Sequence, residues 1–215
     1  MRATKLAGEC VFSLGASRQR CVSGVAQGLV RAVAGLSAIF LLVTQPAAVP
    51  GQITAQQEYR AKAAFLSNFP SFVEWPAGAF SSPQAPLTIC VYGVYAFGIS
   101  LADSAGGRTA HGRRIEVKWV HKENELRSCH ILFVSRSEAK HYGTVLQAIQ
   151  GASVLTVGET PDFLAAGGTV SLMLQQESLQ FEVNLDRANE AHLKLSSRLL
   201  ALARRVVNKA AEAKS

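Results

Sequence analysis

The sequence predicts a three-layer α/β sandwich, in which a mixed, mostly parallel sheet of about six strands is flanked by helices. Short apolar runs alternate with amphipathic helical segments along the chain. Two of these runs, LTICVYG and HILFVS, are continuously apolar, as strands buried on both faces of a parallel sheet are. Two later runs, TVSLML and LQFEVNL, alternate apolar and polar residues, which indicates an antiparallel hairpin with one packed face.

The elements in the first half of the chain are predicted from the spacing of apolar residues and from residues such as proline that end a helix or strand. Residues 56–74 carry apolar side chains at helical spacing, and Pro70 is expected to kink this helix or end it early. Residues 87–93 form the first buried strand, followed by a short helix at 96–104. Residues 114–120 alternate apolar and charged side chains, so they are predicted to be a half-buried strand.

The second half continues the alternation up to a long terminal helix. Ser137 or Ser135 is expected to cap a helix at residues 138–150. The other predicted elements are strands at 130–135 and 154–157, a short helix at 160–166, the hairpin, and a last helix from Asp186 to about Lys209. Two apolar stripes run along that last helix, so it is expected to pack against the sheet or a partner.

The charge of the chain does not indicate a nucleic-acid partner. The 215 residues include 22 Lys and Arg against 15 Asp and Glu, a net charge of +7. Residues 1–51 hold five of the bases and one of the acids, which leaves 17 bases and 14 acids in the remainder, a net +3. A net charge of +3 is too small to indicate a binding surface for a polyanion such as a nucleic acid.

Residues 1–51 are predicted to be a secretory signal with a long n-region. Ala32–Thr44 is uncharged, follows Arg31, and is too short to cross a bilayer, but it suits the apolar core of a signal peptide. Cleavage is expected between positions 47 and 55, with Gly51 the preferred site. An uncleaved anchor, or translation from a later start, is the alternative. The mature domain is then 52–209, with a flexible tail at 210–215 and a periplasmic location.

Export would leave two cysteines in the mature chain. Cys10 and Cys21 would depart with the signal, so Cys90 and Cys129 remain. An even pair in an oxidising compartment favours a disulfide bond. Two buried thiols that pack as small apolar side chains are the alternative.

No motif of an enzyme, a metal site or a cofactor site stands out. The five histidines are scattered, and HExxH, GxSxG, Walker and GxGxxG patterns are missing from the sequence. We therefore expect a binding protein without a cofactor rather than an enzyme, and a hydrolase is disfavoured. His130, which leads a buried strand, is expected to be structural.

Two regions are candidate binding sites. The loop GGRTAHGRR could hold an anion through Arg108, His111, Arg113 and Arg114, although an exposed turn that leads into an edge strand is the favoured interpretation. The first helix carries more aromatic bulk than one buried stripe needs, so some of it could form a partner surface or simply pack on the sheet. The candidate partner-binding residues are Phe65, Phe69, Phe72 and Trp75, together with Glu182 and Asn184 on the outward face of the last strand.

Five blocks in order resemble the YfiR family of exported proteins. They are EYRAKAAFLSNFPSFVEWP, LTICVYG, CHILFVSRSE, SVLTVGETPDFLAAGG and FEVNLDRANEAHLKLSSRLLALA. The resemblance covers about residues 57–207. Cys90 and Cys129 match family cysteines that form a disulfide, whereas a second pair found in some members is missing from Leu164–Ser171. Pro70 also departs from the family pattern, which puts the shape of the first helix in question.

The resemblance implies a regulator. Family members repress a YfiN-type inner-membrane diguanylate cyclase by binding its periplasmic sensor region, which lowers cyclic di-GMP and so regulates biofilms. An OmpA-like outer-membrane lipoprotein of the YfiB type sequesters the repressor. The resemblance also implies a homodimer. A periplasmic small-molecule-binding protein associated with a transport or receptor system, which would use the strand-end crevice and the basic loop, is the alternative.

Overall fold

A mixed sheet forms the centre of the computed structural model, which describes residues 53–94 and 97–208. These residues belong to the second of two compact units, Ala48–Ser215. The predicted signal at 1–51 and the predicted tail at 210–215 lie outside the described residues. The strands are β1 Val73–Glu74, β2 Leu87–Tyr92, β3 Thr109–Ala110, β4 Arg113–Val120, β5 Ile131–Val134, β6 Leu155–Gly158, β7 Val170–Gln175, β8 Ser178–Asn184, β9 Lys194–Leu195 and β10 Arg205–Val207.

The order of strands confirms a mostly parallel sheet. In the described part of the chain the main sheet has eight strands in the order β10-β8-β7-β6-β5-β2-β4-β3. Five adjacent strands, in the order β7-β6-β5-β2-β4, are parallel to one another. β8 pairs antiparallel with β7, β10 pairs parallel with β8, and β3 pairs antiparallel with β4. β1 and β9 form a separate antiparallel pair.

Helices cover both faces of the sheet, as the fold class requires. The helices are α1 Ala55–Asn68, α2 Ser100–Ala105, α3 Tyr142–Ala148, α4 Asp162–Ala165, α5 Leu185–Glu190 and α6 Ser197–Leu202. Successive side chains of a strand point to opposite faces. In β5, Ile131 and Phe133 accordingly join the core beneath α1 and α2, whereas Leu132 and Val134 join the core beneath α3. The sheet therefore lies between two apolar layers, which is the predicted three-layer sandwich.

The first helix ends early, as Pro70 predicts. Thr54 caps α1 through a capping box with Gln57, and the helix stops at Asn68 rather than at residue 74. Pro70 lies in the 3-10 turn Phe69–Phe72, after which the chain enters β1. Proline lacks the N–H that an α-helix would need there.

The prediction of one long terminal helix is wrong. The segment divides into α5, β9, α6 and β10 instead. His192 has a positive φ of 57°, which ends the helical path after α5. The Ser196 hydroxyl then accepts a hydrogen bond from the Leu199 N–H and begins α6. Burial of Leu193 and Leu199 and strand pairing outweigh the helical pattern.

Other boundaries shift by a few residues. The predicted helix at 138–150 is α3 preceded by the 3-10 turn Arg136–His141, which Ser135 caps. The sheet has more strands than the six expected because the short edge strands β3 and β10 were not predicted. Edge strands this short carry too few residues for a period of two to be visible in the sequence.

Candidate functional site

A disulfide joins two neighbouring strands. Cys90 in β2 and Cys129 directly before β5 are bonded, with a Cα–Cα distance of 5.8 Å. Both residues are buried, in the core beneath α3. The two cysteines are 39 residues apart in sequence. The bond therefore holds β2 beside β5, although β3 and β4 lie between these two strands in the chain.

The four aromatic residues predicted to bind a partner lie in the second half of α1 and in the segment that follows it, and they pack mainly on the sheet. Phe69 is only 1% exposed, and its ring lies 5.4 Å from that of Phe65 and 6.0 Å from that of Phe181. Phe72 and Trp75 are half-buried against the same core, and the Trp75 indole N–H donates to the His130 carbonyl at 3.3 Å. Phe69 therefore belongs to the core, whereas Phe65 and Trp75 each border a surface groove.

Glu182 alternates with the core residues Phe181 and Val183, so it lies on the other face of β8, but it is covered there rather than exposed. It is 8% exposed because β10 runs beside β8, and its carboxylate accepts hydrogen bonds from Arg205 at 2.6 and 3.0 Å. Arg204 lies 3.5 Å from the other carboxylate oxygen. The Asn184 side chain accepts from the Arg187 N–H at 3.1 Å and thus caps α5. Both polar residues hold neighbouring elements in place.

The four residues of the basic loop do not converge on one point. Arg108 donates to the Asn68 side chain at 2.8 Å, at the end of α1. The Nε2 atom of His111 lies 2.9 Å from the Pro70 carbonyl oxygen and 3.0 Å from that of Val73. These two side chains attach the loop to the segment in which the first helix ends.

Arg113 and Arg114 are also engaged with protein groups. Arg113 donates to the Ala85 carbonyl at 2.7 Å and stacks over the Phe80 ring at 3.7 Å. Arg114 is exposed and pairs with Glu116 at 3.0 Å. Both begin β4, so they lie at the edge of the sheet opposite the carboxyl ends of the parallel strands. The arrangement fits the favoured interpretation, a turn leading into a strand, better than it fits an anion site.

A buried cluster of charges, which the sequence analysis missed, closes the carboxyl edge of the sheet. Lys62 of α1 is fully buried and forms ion pairs with Glu58 and with Glu159, the residue after β6. Arg136, which follows β5, donates its backbone N–H to Glu159 at 2.7 Å, and its guanidinium lies 2.9 Å from Glu58. The Tyr59 hydroxyl donates to Glu159 at 3.0 Å. Two positive and two negative side chains thus compensate one another.

The surroundings of Glu159 keep its carboxyl group ionised. Burial alone would raise the pKa of Glu159, but the Lys62 ammonium and the Arg136 N–H and guanidinium outweigh it and hold the pKa below its usual value. Burial, followed by the nearby Glu159 charge, raises the pKa of the Tyr59 hydroxyl, so that hydroxyl stays a donor. At the carboxyl ends of β5 and β6, the charged side chains that a small-molecule site could use therefore already have partners within the protein.

His130 is structural, as the sequence analysis expected. Its Nδ1 accepts from the Thr88 backbone N–H at 3.1 Å, and its Nε2 lies 3.1 Å from the Ala79 carbonyl and donates to it. The ring stacks on Phe80 at 4.4 Å. Burial lowers the pKa of His130, and the charges of Arg113 and Lys118 lower it further, against a smaller opposing effect of the Ala79 hydrogen bond.

The geometry defines an α/β domain fixed by one disulfide and one buried charge cluster. In the described part of the chain, no group of three or more His, Cys, Asp or Glu residues could hold a metal ion. No helix of that part is long and apolar enough to cross a membrane. Residues 59–204 match the sequence model of the YfiR/HmsC-like family, so the chain belongs to that family. It is a family of regulatory rather than catalytic proteins.

Two solved structures are similar to this chain at low sequence identity. A conserved domain protein from Vibrio cholerae O1 biovar El Tor strain N16961 is 14% identical, with 56% of this chain and 55% of that chain covered and a TM-score of 0.43. An "ABC domain in complex with L-Trp" from Streptococcus pneumoniae is 13% identical, with 67% and 60% covered and a TM-score of 0.45. The chain thus spans about 55–60% of the length of these structures. No curated protein matches it.

Proposed function

We propose that this protein is a periplasmic regulatory protein that represses a membrane-bound diguanylate cyclase of the YfiN type. It binds the periplasmic sensor region of the cyclase and thereby lowers cyclic di-GMP. The observation that carries this proposal is the family match over residues 59–204, which spans most of the described domain. An OmpA-like outer-membrane lipoprotein of the YfiB type would relieve repression by sequestering the protein.

Repression of this kind needs no chemistry on a substrate. A protein that binds the inactive conformation of the sensor region more tightly than the active one shifts the cyclase toward inactivity by that difference in affinity. The disulfide between Cys90 and Cys129 and the charge cluster around Lys62 support such a role, since they hold the strands and α1 in one arrangement before binding. A preformed surface loses less conformational entropy when the partner docks.

Deletion of the gene tests the proposal directly. Cyclic di-GMP measured by mass spectrometry should rise several-fold in the deletion strain, and a plasmid copy of the full chain should return it to the parental level. A copy that lacks residues 1–51 is the matched control, because it supplies the same domain without the predicted signal and should not restore repression. An unchanged cyclic di-GMP level in the deletion strain would contradict the proposal.

Binding provides a second measurement. The purified domain, residues 52–215, should bind the purified periplasmic region of the host cyclase in calorimetry, and the heat should vanish when that region is replaced by its cytoplasmic catalytic domain. Failure to bind, together with a rise of cyclic di-GMP on deletion, would place the protein in the pathway but not on the cyclase.

A further inference from the structure

Strand β10 ends the sheet and leaves one of its edges open. It pairs with β8, and among residues 53–94 and 97–208 no strand lies on its other side. Arg204 donates its backbone N–H to the Phe181 carbonyl at 2.9 Å. Asn184 donates its backbone N–H to the Thr169 carbonyl beside β7, so the alternate residues Phe181 and Val183 direct their backbone groups to β10. In the parallel register of β10 and β8, Arg205 and Val207 therefore bond to β8, and Val206 directs its N–H and carbonyl to the open edge. This edge can accept another strand.

An apolar groove runs beside the open edge. Its cavity has a volume of about 470 Å³ and is lined by Phe65, residues 178–181, Leu202 and Arg204. Leu202 is 68% exposed and Val206 is 38% exposed. Val206 pairs with Val183, two residues after Phe181, so it lies on the same face of the sheet as the groove. Large apolar side chains left exposed together indicate a docking surface.

The groove carries a guanidinium, that of Arg204, which also lies 3.5 Å from the Glu182 carboxylate. In the described part of the chain, Arg204 is the charged residue among those that line it, and its side chain is 49% exposed. Arg204 reaches Gln175 at 2.9 Å, whereas Glu182 is engaged mainly by Arg205. A carboxylate on the docked partner would therefore find a guanidinium with donors still free to bind it.

We propose that the open edge of β10 and the groove beside it receive an extended segment of the regulated partner. The segment adds to the sheet as a strand, its alternate side chains are apolar and enter the groove, and it carries a carboxylate that pairs with Arg204. Hydrogen bonds to the backbone N–H and carbonyl of Val206 supply affinity, and the groove supplies selectivity. This inference rests on the proposed function for the identity of that partner, a membrane-bound signalling protein.

Charge argues against a second copy of this chain as the occupant. A two-fold pairing of β10 with itself would bring Arg204 and Arg205 of both copies into one three-residue interface. Glu182, the carboxylate that both arginines contact, is already engaged within each copy. A partner segment with an acidic residue has no such repulsion.

In-cell photo-crosslinking tests the surface. Benzoylphenylalanine is placed at Leu202 of the exported full chain, and the control protein carries it at Ile99, which is 71% exposed on another part of the domain. We expect an adduct with a membrane protein from position 202 but not from position 99. Peptide sequencing by mass spectrometry should locate the adduct in an apolar segment that contains Asp or Glu.

A backbone variant separates strand addition from simple apolar contact. Val206→Pro removes the N–H that points to the open edge, where proline is tolerated within the protein itself, and Val206→Ala is the matched control that keeps this N–H. The adduct should fall at least about fivefold in the first and persist in the second. Circular dichroism of the purified variants checks that both fold.

Three outcomes would overturn the inference. They are the lack of an adduct at position 202, an adduct with a second copy of this chain, and an adduct that Val206→Pro leaves unchanged. The cyclic di-GMP assay separates this test from the proposed function. If deletion raises cyclic di-GMP but Leu202→Asp complements fully, the function stands and the surface is wrong. If deletion has no effect but the adduct forms as described, the surface stands with a different regulated partner.

Discussion

Lys62 is the residue on which the buried charge cluster depends. Its side chain is fully buried and pairs with both Glu58 and Glu159. In Lys62→Met, Glu159 keeps its contacts with Arg136 and Tyr59 but loses its closest positive charge. We expect the free energy of unfolding to fall by about 3 kcal/mol, the low end of the range for breaking a buried ion pair. Urea denaturation of the purified domain measures it.

An exposed ion pair is the matched control for that variant. Arg114 pairs with Glu116 on the surface, where its side chain is 73% exposed. Arg114→Ala should change the free energy of unfolding by less than about 1 kcal/mol. Equal losses in the two variants would mean that burial of the Lys62 cluster contributes nothing.

His130 makes stability depend on pH. The lowered pKa of the folded imidazole means that, just below its ordinary pKa of about 6.5, the unfolded chain binds more protons than the folded one. Stability should therefore be fully present above pH 6.5 and fall as the pH drops through this window. His130→Asn keeps an acceptor for the Thr88 N–H but does not titrate, so its stability should change less with pH there.

The control for this variant removes the stacking partner and keeps the histidine. Phe80→Leu should lower stability at every pH, because the ring contact with His130 is lost, yet retain the wild-type slope. Denaturant midpoints at several pH values between 5 and 8 give both slopes. A wild-type slope in His130→Asn would assign the pH dependence to another group.

The sequence could predict His130 but not the charge cluster, for a physical reason. His130 leads an apolar run, which is a local signal. Glu159 and Lys62 are 97 residues apart, and their contact requires that α1 cross the carboxyl edge of β5 and β6. The sequence offered two signals. Glu58 and Lys62 are spaced to share one helix face, and an acid, Glu159, directly follows an apolar strand. Neither one alone specifies burial.

At the scale of elements, the disulfide between β2 and the start of β5 constrains the unfolded chain. It closes a loop between positions 39 residues apart. Loop-closure entropy predicts that Cys90→Ala/Cys129→Ala lowers the free energy of unfolding by about 4 kcal/mol. Reduced wild-type protein should lose a similar amount, and urea denaturation with and without reductant compares them. A loss below about 1 kcal/mol in both would show that the strand pairing needs no crosslink.

The elements that local pattern determines were the ones predicted correctly. Continuous apolar runs marked β2 and β5, alternation marked the hairpin of β7 and β8, and Pro70 marked the early end of α1. The terminal segment failed because its apolar stripes fit a helix, whereas its fold is decided by distant partners. Lys194–Leu195 pair with β1, and Arg205–Val207 pair with β8. A strand of two or three residues is too short to show the alternation of apolar and polar side chains from which strands are predicted.

At the scale of the whole molecule, the disulfide bond bears on the compartment in which the protein folds. A disulfide forms and persists in an oxidising compartment and is rare in the cytosol. If the chain is exported and cleaved between positions 47 and 55, the mature protein holds only Cys90 and Cys129. We therefore expect protein from the periplasmic fraction to show no alkylatable thiol before reduction and two after it.

Intact mass and N-terminal sequencing complete that measurement. The mature N-terminus should be Gln52, so that cleavage after Gly51 retains Thr54, whose side chain caps α1, and leaves the first helix intact. Residues 52–215 expressed in a reducing cytosol are the control, and they should show both thiols free without any reductant. A full-length chain that stays in the cytosol with four reactive thiols would contradict export. It would also remove the periplasmic partner from the proposal, because repressor and sensor region would then occupy different compartments.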